Sequence, residues 1–347
     1  MNTMKRSNQI WVFAIVFMTG FVRIAVSQDA GKGLRLVQTI AMPGVKGRLD
    51  HMDVDAKGKR LFVAGLENGT LEVVDLGVGK RIRSIPGFNK PQGALYVQDL
   101  NKLFVASGDD AMLRVFRGDT LDLLDSIQLE RGPNRVVYEP QSKLVYVGYG
   151  GKDAGKDYGE VGIIDAKNDR RLGKIKVVAH PSELLLNKSG TLLFVFVSIA
   201  NKIQVIDTKK HQVISTWDVS SQRPGDGAFD EATSRLFIGT RTPPEMIAMD
   251  SQSGREVAHL PTPDGMDGVY FDAKSGRVYV SGGRDMPAGF VSIYRQKDAD
   301  HYENVAKIST RPGSGTSFWS PELNRYYVAS PKDDQEDAAI LVYAPET

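Results

Sequence analysis

Asp50 and His51 stand side by side just ahead of an apolar strand, and the same place ahead of later strands is taken by Asn134-Arg135, Glu183, Asp226 and Asp267. Imidazole titrates near neutrality, so a carboxylate beside it is a unit of general acid–base chemistry. An arginine among further carboxylates adds a fork for an anionic group and acceptors for hydroxyls. His51, Arg135 and Glu183 are therefore the candidate catalytic residues. The candidate ligand-binding set is Asp50, His51, Asn134, Arg135, Glu183, Asp226 and Asp267, joined by Arg241 and Arg284, which follow glycine-containing strand ends and suit a small anion. The same residues also have a structural reading, as charges that line a wet channel and neutralise one another. Residue types alone supply no ordered nucleophile, base and oxyanion donor.

Other chemistries fail on composition or spacing. The chain has no cysteine, which excludes disulfides, covalently attached c-type haem, thiolate metal ligands and a cysteine nucleophile. There is no Gly-rich phosphate loop with a following lysine, no histidine pair at helical spacing and no Gly-x-Ser-x-Gly elbow. Of the five histidines, only His51 and His180 fall at strand entries. A metal held by these two with Glu183 or Asp226 is the one ion site the spacing leaves open, and neither a metal nor a cofactor is expected.

What positions the candidates is a repeat. Arg60-Leu61-Phe62-Val63-Ala64-Gly65 recurs as KLFVAS from Lys102, KLVYVG from Lys143, LLFVFV from Leu192, RLFIGT from Arg235, RVYVSG from Arg277 and RYYVAS from Arg325. Counted at Leu61, Leu103, Leu144, Leu193, Leu236, Val278 and Tyr326, the spacings are 42, 41, 49, 43, 42 and 48. A period in the forties, with short β-branched and aromatic runs between turn residues, predicts propeller blades. No window sustains a helical period, so helix content should be near zero. The two long spacings come from polar insertions at Gly150 to Gly159 and Gln296 to Glu303.

The last unit supplies only three strands, and Leu34 to Ile40 reads as its missing fourth. The expected fold is an all-β, seven-bladed β-propeller closed by an N-terminal strand in the last blade, with blades at about 48–86, 91–129, 132–177, 180–219, 224–261, 266–309 and 314–344 plus the strand 34–40. Asp75, Asp165, Asp207 and Asp250, once per blade at third-strand ends, are expected to form turns.

KIQVIDTKKHQVISTWDV from Lys202, LEVVDLGVGKRIRSIPGF from Leu71 and VGIIDAKNDRRLGKIKV from Val161 resemble the YVTN-type β-propeller repeat of YncE-like bacterial proteins. No copy carries the literal tetrapeptide. The resemblance implies an exported propeller, and little about chemistry, because the fold hosts binding proteins and enzymes alike.

In a propeller, the entries to first strands and the loops between second and third strands share one face. Aligned on the following turn, the first strands bring His51, Ala94, Arg135, Glu183, Asp226, Gly268 and Thr316 to one level, preceded by Asp50, Gly93, Asn134, Ser182, Gly225, Asp267 and Gly315. Asn68, Asp109, Asp110, Tyr149, Asn201, Arg241, Arg284 and Lys332 fall on the surrounding loops. His180, just ahead of Pro181-Ser182-Glu183, would lean over the same mouth.

The first segment has the grammar of a signal peptide: Lys5 and Arg6, an apolar stretch from Ile10 to Val22, and Ala25-Val26-Ser27. Residues 1–27 are expected to be removed, leaving 28–347 as one periplasmic or secreted domain. A membrane anchor is the alternative, but the stretch is short for a span and Arg23 interrupts it. Removing Lys5, Arg6 and Arg23, with no acid in that segment, takes the formal charge from +2 to −1. Nucleic acid is therefore not an expected partner, and no membrane span is expected in the mature chain. The functional expectation is a monomeric, non-catalytic scaffold that takes a small ligand or protein partner over its top face. The alternative is a lactonase-like hydrolase acting on a sugar lactone or related small molecule at the channel mouth.

Overall fold

The computed structural model describes Met1 and residues 33–346, so the predicted signal peptide, Met1 apart, lies outside the described residues. Gly31–Thr347 forms one compact unit. It contains seven four-stranded antiparallel sheets arranged as a seven-bladed β-propeller. In the first blade the strands are Met52–Asp55, Arg60–Gly65, Thr70–Asp75 and Lys80–Pro86, and six further units repeat that order. Each first strand touches the first strands of both neighbouring blades, and Met52–Asp55 touches Ser317–Ser320 of the seventh blade, so the inner ring is closed. Among the described residues there are two short 3-10 turns, Gly151–Ala154, inside the first insertion, and Ser198–Ala200. No described helix is long and apolar enough to cross a membrane.

The expected closure is present. Leu34–Ala41 lies antiparallel to Ala339–Pro345, from Leu34 opposite Pro345 to Ala41 opposite Ala339, and completes the last blade as its outermost strand. A second observation makes it a true fourth strand. In every blade the fourth strand carries a β-bulge at the same step, and the extra residue is Ile82, Leu124, Leu172, Ile214, Val257, Val305 and, in the N-terminal strand, Val37. Ile82, Leu124, Leu172, Ile214 and Val37 are exposed. Bulges break the regular ladder an outer edge would otherwise present to another chain.

Blades pack through apolar clusters, one at each boundary. Phe62 and Val73 meet Leu103 and Val105 between the first two blades, whereas Ile40 and Tyr327 meet Leu61 and Val63 where the ring closes. The recurring second strand is therefore scaffold, since Leu61, Phe62 and Val63 are fully buried.

The turns follow their residues. Lys59, Asn101, Lys143, Ser234, Gly276 and Asn324 share a left-handed backbone just before the second strand. Asp75, Asp165, Asp207 and Asp250 each accept two main-chain N–H bonds from the following turn, at 2.8–3.2 Å, the turn role expected of them.

Two registers differ from the sequence alignment by one residue. Leu144 pairs with Asp165 as Arg60 pairs with Asp75, which puts Val145, not Leu144, level with Leu61. In the second blade a bulge at Gln92 lets Gly93 pair with Ala106, so Gly93 rather than Ala94 stands level with His51, and Gln92 precedes it. An apolar run of mixed Leu, Val and Tyr fits either register, and only the turn ahead of it decides.

Candidate functional site

The entries to the first strands bring His51, Gly93, Arg135, Glu183, Asp226, Gly268 and Thr316 to one end of the inner ring. Each lies four residues ahead of its strand-ending turn residue, so the repeat itself sets them level. Within this ring Arg135 and Glu183 form a two-pronged ion pair, Nε to Oε1 and Nη2 to Oε2, both at 2.5 Å. Glu183 Oε1 also accepts the Leu184 N–H at 2.7 Å. Burial works against the charge of Arg135, but Glu183 outweighs it and keeps the guanidinium charged. Tyr270, whose hydroxyl donates to the Ser317 carbonyl at 2.8 Å, faces the same guanidinium.

A second cluster is built on Asp267, the residue before Gly268. Arg241 Nη2 donates to its Oδ1 at 2.7 Å and Arg284 Nη1 to the same oxygen at 3.3 Å. Thr316 Oγ1 donates to Oδ2 at 3.0 Å, and Arg48 Nη2 lies 3.7 Å from that oxygen while bonding Asp50 Oδ2 at 2.9 Å. Burial alone would raise the Asp267 carboxyl; Arg48, Arg284 and Arg241 together hold it below the usual carboxylate range. The three guanidiniums come from two loops and the end of the strand Arg235–Arg241, which is why distant stretches of chain meet on one carboxylate.

Between these clusters stand Asp226 and His51. Burial, then Asp267 and Glu183, push the Asp226 carboxyl up to about 6. Burial, then Arg135, lower His51, so the imidazole is neutral at pH 7. Its Nε2 lies 3.8 Å from Asp50 Oδ1, beyond hydrogen-bond reach. Deeper in the ring, Asp53 accepts the N–H groups of Tyr96 and Val54, and burial pushes it up to about 7. Exposure falls steeply across the mouth, from a 30% exposed Arg284 side chain to a fully buried Glu183.

Asp50, His51, Arg135, Glu183, Asp226, Asp267, Arg241 and Arg284 are thus brought together. Asn134 enters beside Arg135 with its Oδ1 buried and unpartnered. The outer loop residues instead pair locally: Asn68 with Thr70, Asp109 with Arg131, Asp110 with Arg114, Asn201 with the Arg223 N–H, and Lys332 with Asp337. Tyr149 is no rim residue. It is buried between blades, where its hydroxyl accepts from Arg171. His180 bonds the Gly150 carbonyl at 3.0 Å, and among the described residues no group of three His, Asp or Glu is arranged to hold a metal ion.

Arg48 and Tyr270 are the members the sequence reading missed. Arg48 had a signal, lying two residues before Asp50 in a loop of the same face. Tyr270 is two residues beyond Gly268, where strand alternation returns a side chain to the same side.

Neither a protein-family model nor a curated protein matches the chain. Solved structures do. A chain of Kuenenia stuttgartiensis hydrazine synthase is similar over 87% of this chain and 98% of its own, with 18% identity and a TM-score of 0.73. A chain in a mitotic checkpoint complex is similar over 98% and 99%, with 12% identity and a TM-score of 0.76. At such identities the likeness is one of fold, and the seven-bladed propeller is compatible with a scaffold or binding role.

Proposed function

We propose that the protein is an exported binding propeller of the YVTN-repeat, YncE-like type, a monomer that takes a small ligand or protein partner over the face bearing the arginine cluster. The observation that carries the reading is the convergence of Arg48, Arg241 and Arg284 on Asp267. Arg48 Nη1, Arg241 Nη1 and Arg284 Nη2 have no hydrogen-bond partner among the described residues. Donors held by a buried carboxylate, with nitrogens left over at an open rim, form a prearranged anion seat. Export is supported by the grammar of the first segment and by the lack of cysteine.

A sugar-lactone hydrolase is the second reading, favoured by a neutral, buried His51 whose ring nitrogens are not taken by a hydrogen bond. Against it, Glu183 is consumed by Arg135 and the Leu184 N–H, which leaves little of the residue set that suggested catalysis.

The test is co-purification of the mature chain with its bound molecules, identified by mass spectrometry, beside R241A/R284A. Loss of a specific molecule or partner from the double variant is expected; unchanged recovery would exclude this face. Lactone turnover abolished by His51→Ala in a stable protein would instead establish the hydrolase. N-terminal sequencing of the exported protein should begin at Gln28.

A further inference from the structure

The unfilled hydrogen-bonding atoms of the mouth have two chemistries. Asp50 is 1% exposed, yet its Oδ1 has no partner, and neither has Asn134 Oδ1. These are acceptors without donors. Arg48 Nε is buried without an acceptor, and spare nitrogens of Arg241 and Arg284 stand at the rim. Buried polar atoms are nearly always bonded, so unfilled acceptors and unfilled cationic donors at one mouth describe a guest that carries both complements.

Charge narrows the guest further. Four guanidiniums, Arg48, Arg135, Arg241 and Arg284, stand with four acids, Asp50, Glu183, Asp226 and Asp267. Arg135 and Glu183 use each other up. The remaining arginines are concentrated on the Asp267 side, and they suit a carboxylate. The unfilled acceptors are one oxygen of a carboxylate whose other oxygen is already held by Arg48, and the neutral amide oxygen of Asn134. Neutral hydroxyl donors complement both.

We infer that the mouth binds a small hydroxylated carboxylate, a molecule of the sugar-acid class, with its carboxylate on Arg241 and Arg284 and its hydroxyls donating to Asp50 and Asn134. This rests on the binding reading of the same face. It also carries a proton consequence. Asp226 faces Asp267, Glu183, His51, Arg135 and Arg48, and a guest carboxylate adds one more negative charge to that set. The guest therefore draws a proton onto Asp226, and binding tightens as pH falls toward 6.

Titration calorimetry of the mature chain with D-gluconate, sorbitol and acetate tests this. Gluconate is expected to bind at least about tenfold more tightly than either control, because a site that must satisfy buried polar atoms rejects analogues lacking the matching group. R241A/R284A should lose about tenfold or more. Wild-type protein should take up protons, read from buffers of different ionisation enthalpy, and Asp226→Asn should abolish that uptake. Sorbitol binding as tightly as gluconate would overturn the carboxylate assignment, and acetate binding as tightly would overturn the hydroxyl assignment. No gluconate binding by a chain that still recovers an arginine-dependent partner would overturn this inference and leave the broader reading standing. Loss of both would remove both.

Discussion

Arg135 and Glu183 meet across the boundary between the third and fourth blades, with both carboxylate oxygens engaged at 2.5 Å. Residues that look catalytic in the sequence are here a structural clasp. Removing one partner leaves the other charge buried, which costs far more than the pair itself contributes.

Glu183→Ala should therefore destabilise the fold by about 3–5 kcal/mol, measured by urea unfolding. R135M/E183L, which removes both charges, should recover most of that loss. A double variant as unstable as the single one would show that the clasp itself, rather than the orphaned charge, sets the cost.

Asp226 gives a signed pH dependence. Its carboxyl is raised to about 6, so the native state holds a proton there more tightly than the unfolded chain. The associated stability is whole below about pH 4, the unfolded value, and is lost as pH rises through about 6. Asp53, raised to about 7, extends the decline. Measured against Asp226→Asn, which cannot ionise, the wild type should lose unfolding free energy steadily from about pH 4 to about pH 6 and level off above it. A constant difference would mean that Asp226 ionises alike in both states.

Asp267 is held low by arginines that R241A/R284A would remove. Its carboxyl, followed by carbon-detected NMR titration, should rise in the double variant, since burial remains while two opposing charges are gone. No movement would assign the effect to Arg48 alone.

Gly93 is one of two ring positions without a side chain, the other being Gly268. A Cβ there would lie 2.1 Å from the Asn134 main-chain oxygen, a contact the neighbouring backbone cannot relieve by turning a rotamer. Gly93→Ala should cost about 1–3 kcal/mol on the same urea assay, whereas a change at the solvent-facing Gly87, around which a Cβ meets nothing within 4 Å, should be governed by its left-handed backbone instead.

Much of this was legible in the chain itself. Seven copies of one apolar strand announced the blades, the shortfall in the last unit pointed to Leu34–Ala41, and polar residues ahead of first strands marked the mouth. Pairing was less legible. Arg135 and Glu183 are 48 residues apart, and their adjacency follows only from the closing of one blade against the next. Arg48 escaped notice because its partners Asp50 and Asp267 sit in different blades. The slips at Gly93 and Val145 arose where a bulge or a turn residue, not hydrophobicity, sets the register.

The repeated bulge carries one more consequence. Because Val37 occupies in the N-terminal strand the place that Ile82 occupies in the first blade, the ring does not distinguish the blade in which the chain starts. The Glu346 N–H donates to the Gly33 carbonyl at 2.8 Å, so these two residues already touch. A circular permutant that joins them and opens the chain at the turn between Asp75 and Lys80 would inherit the same closure one blade along.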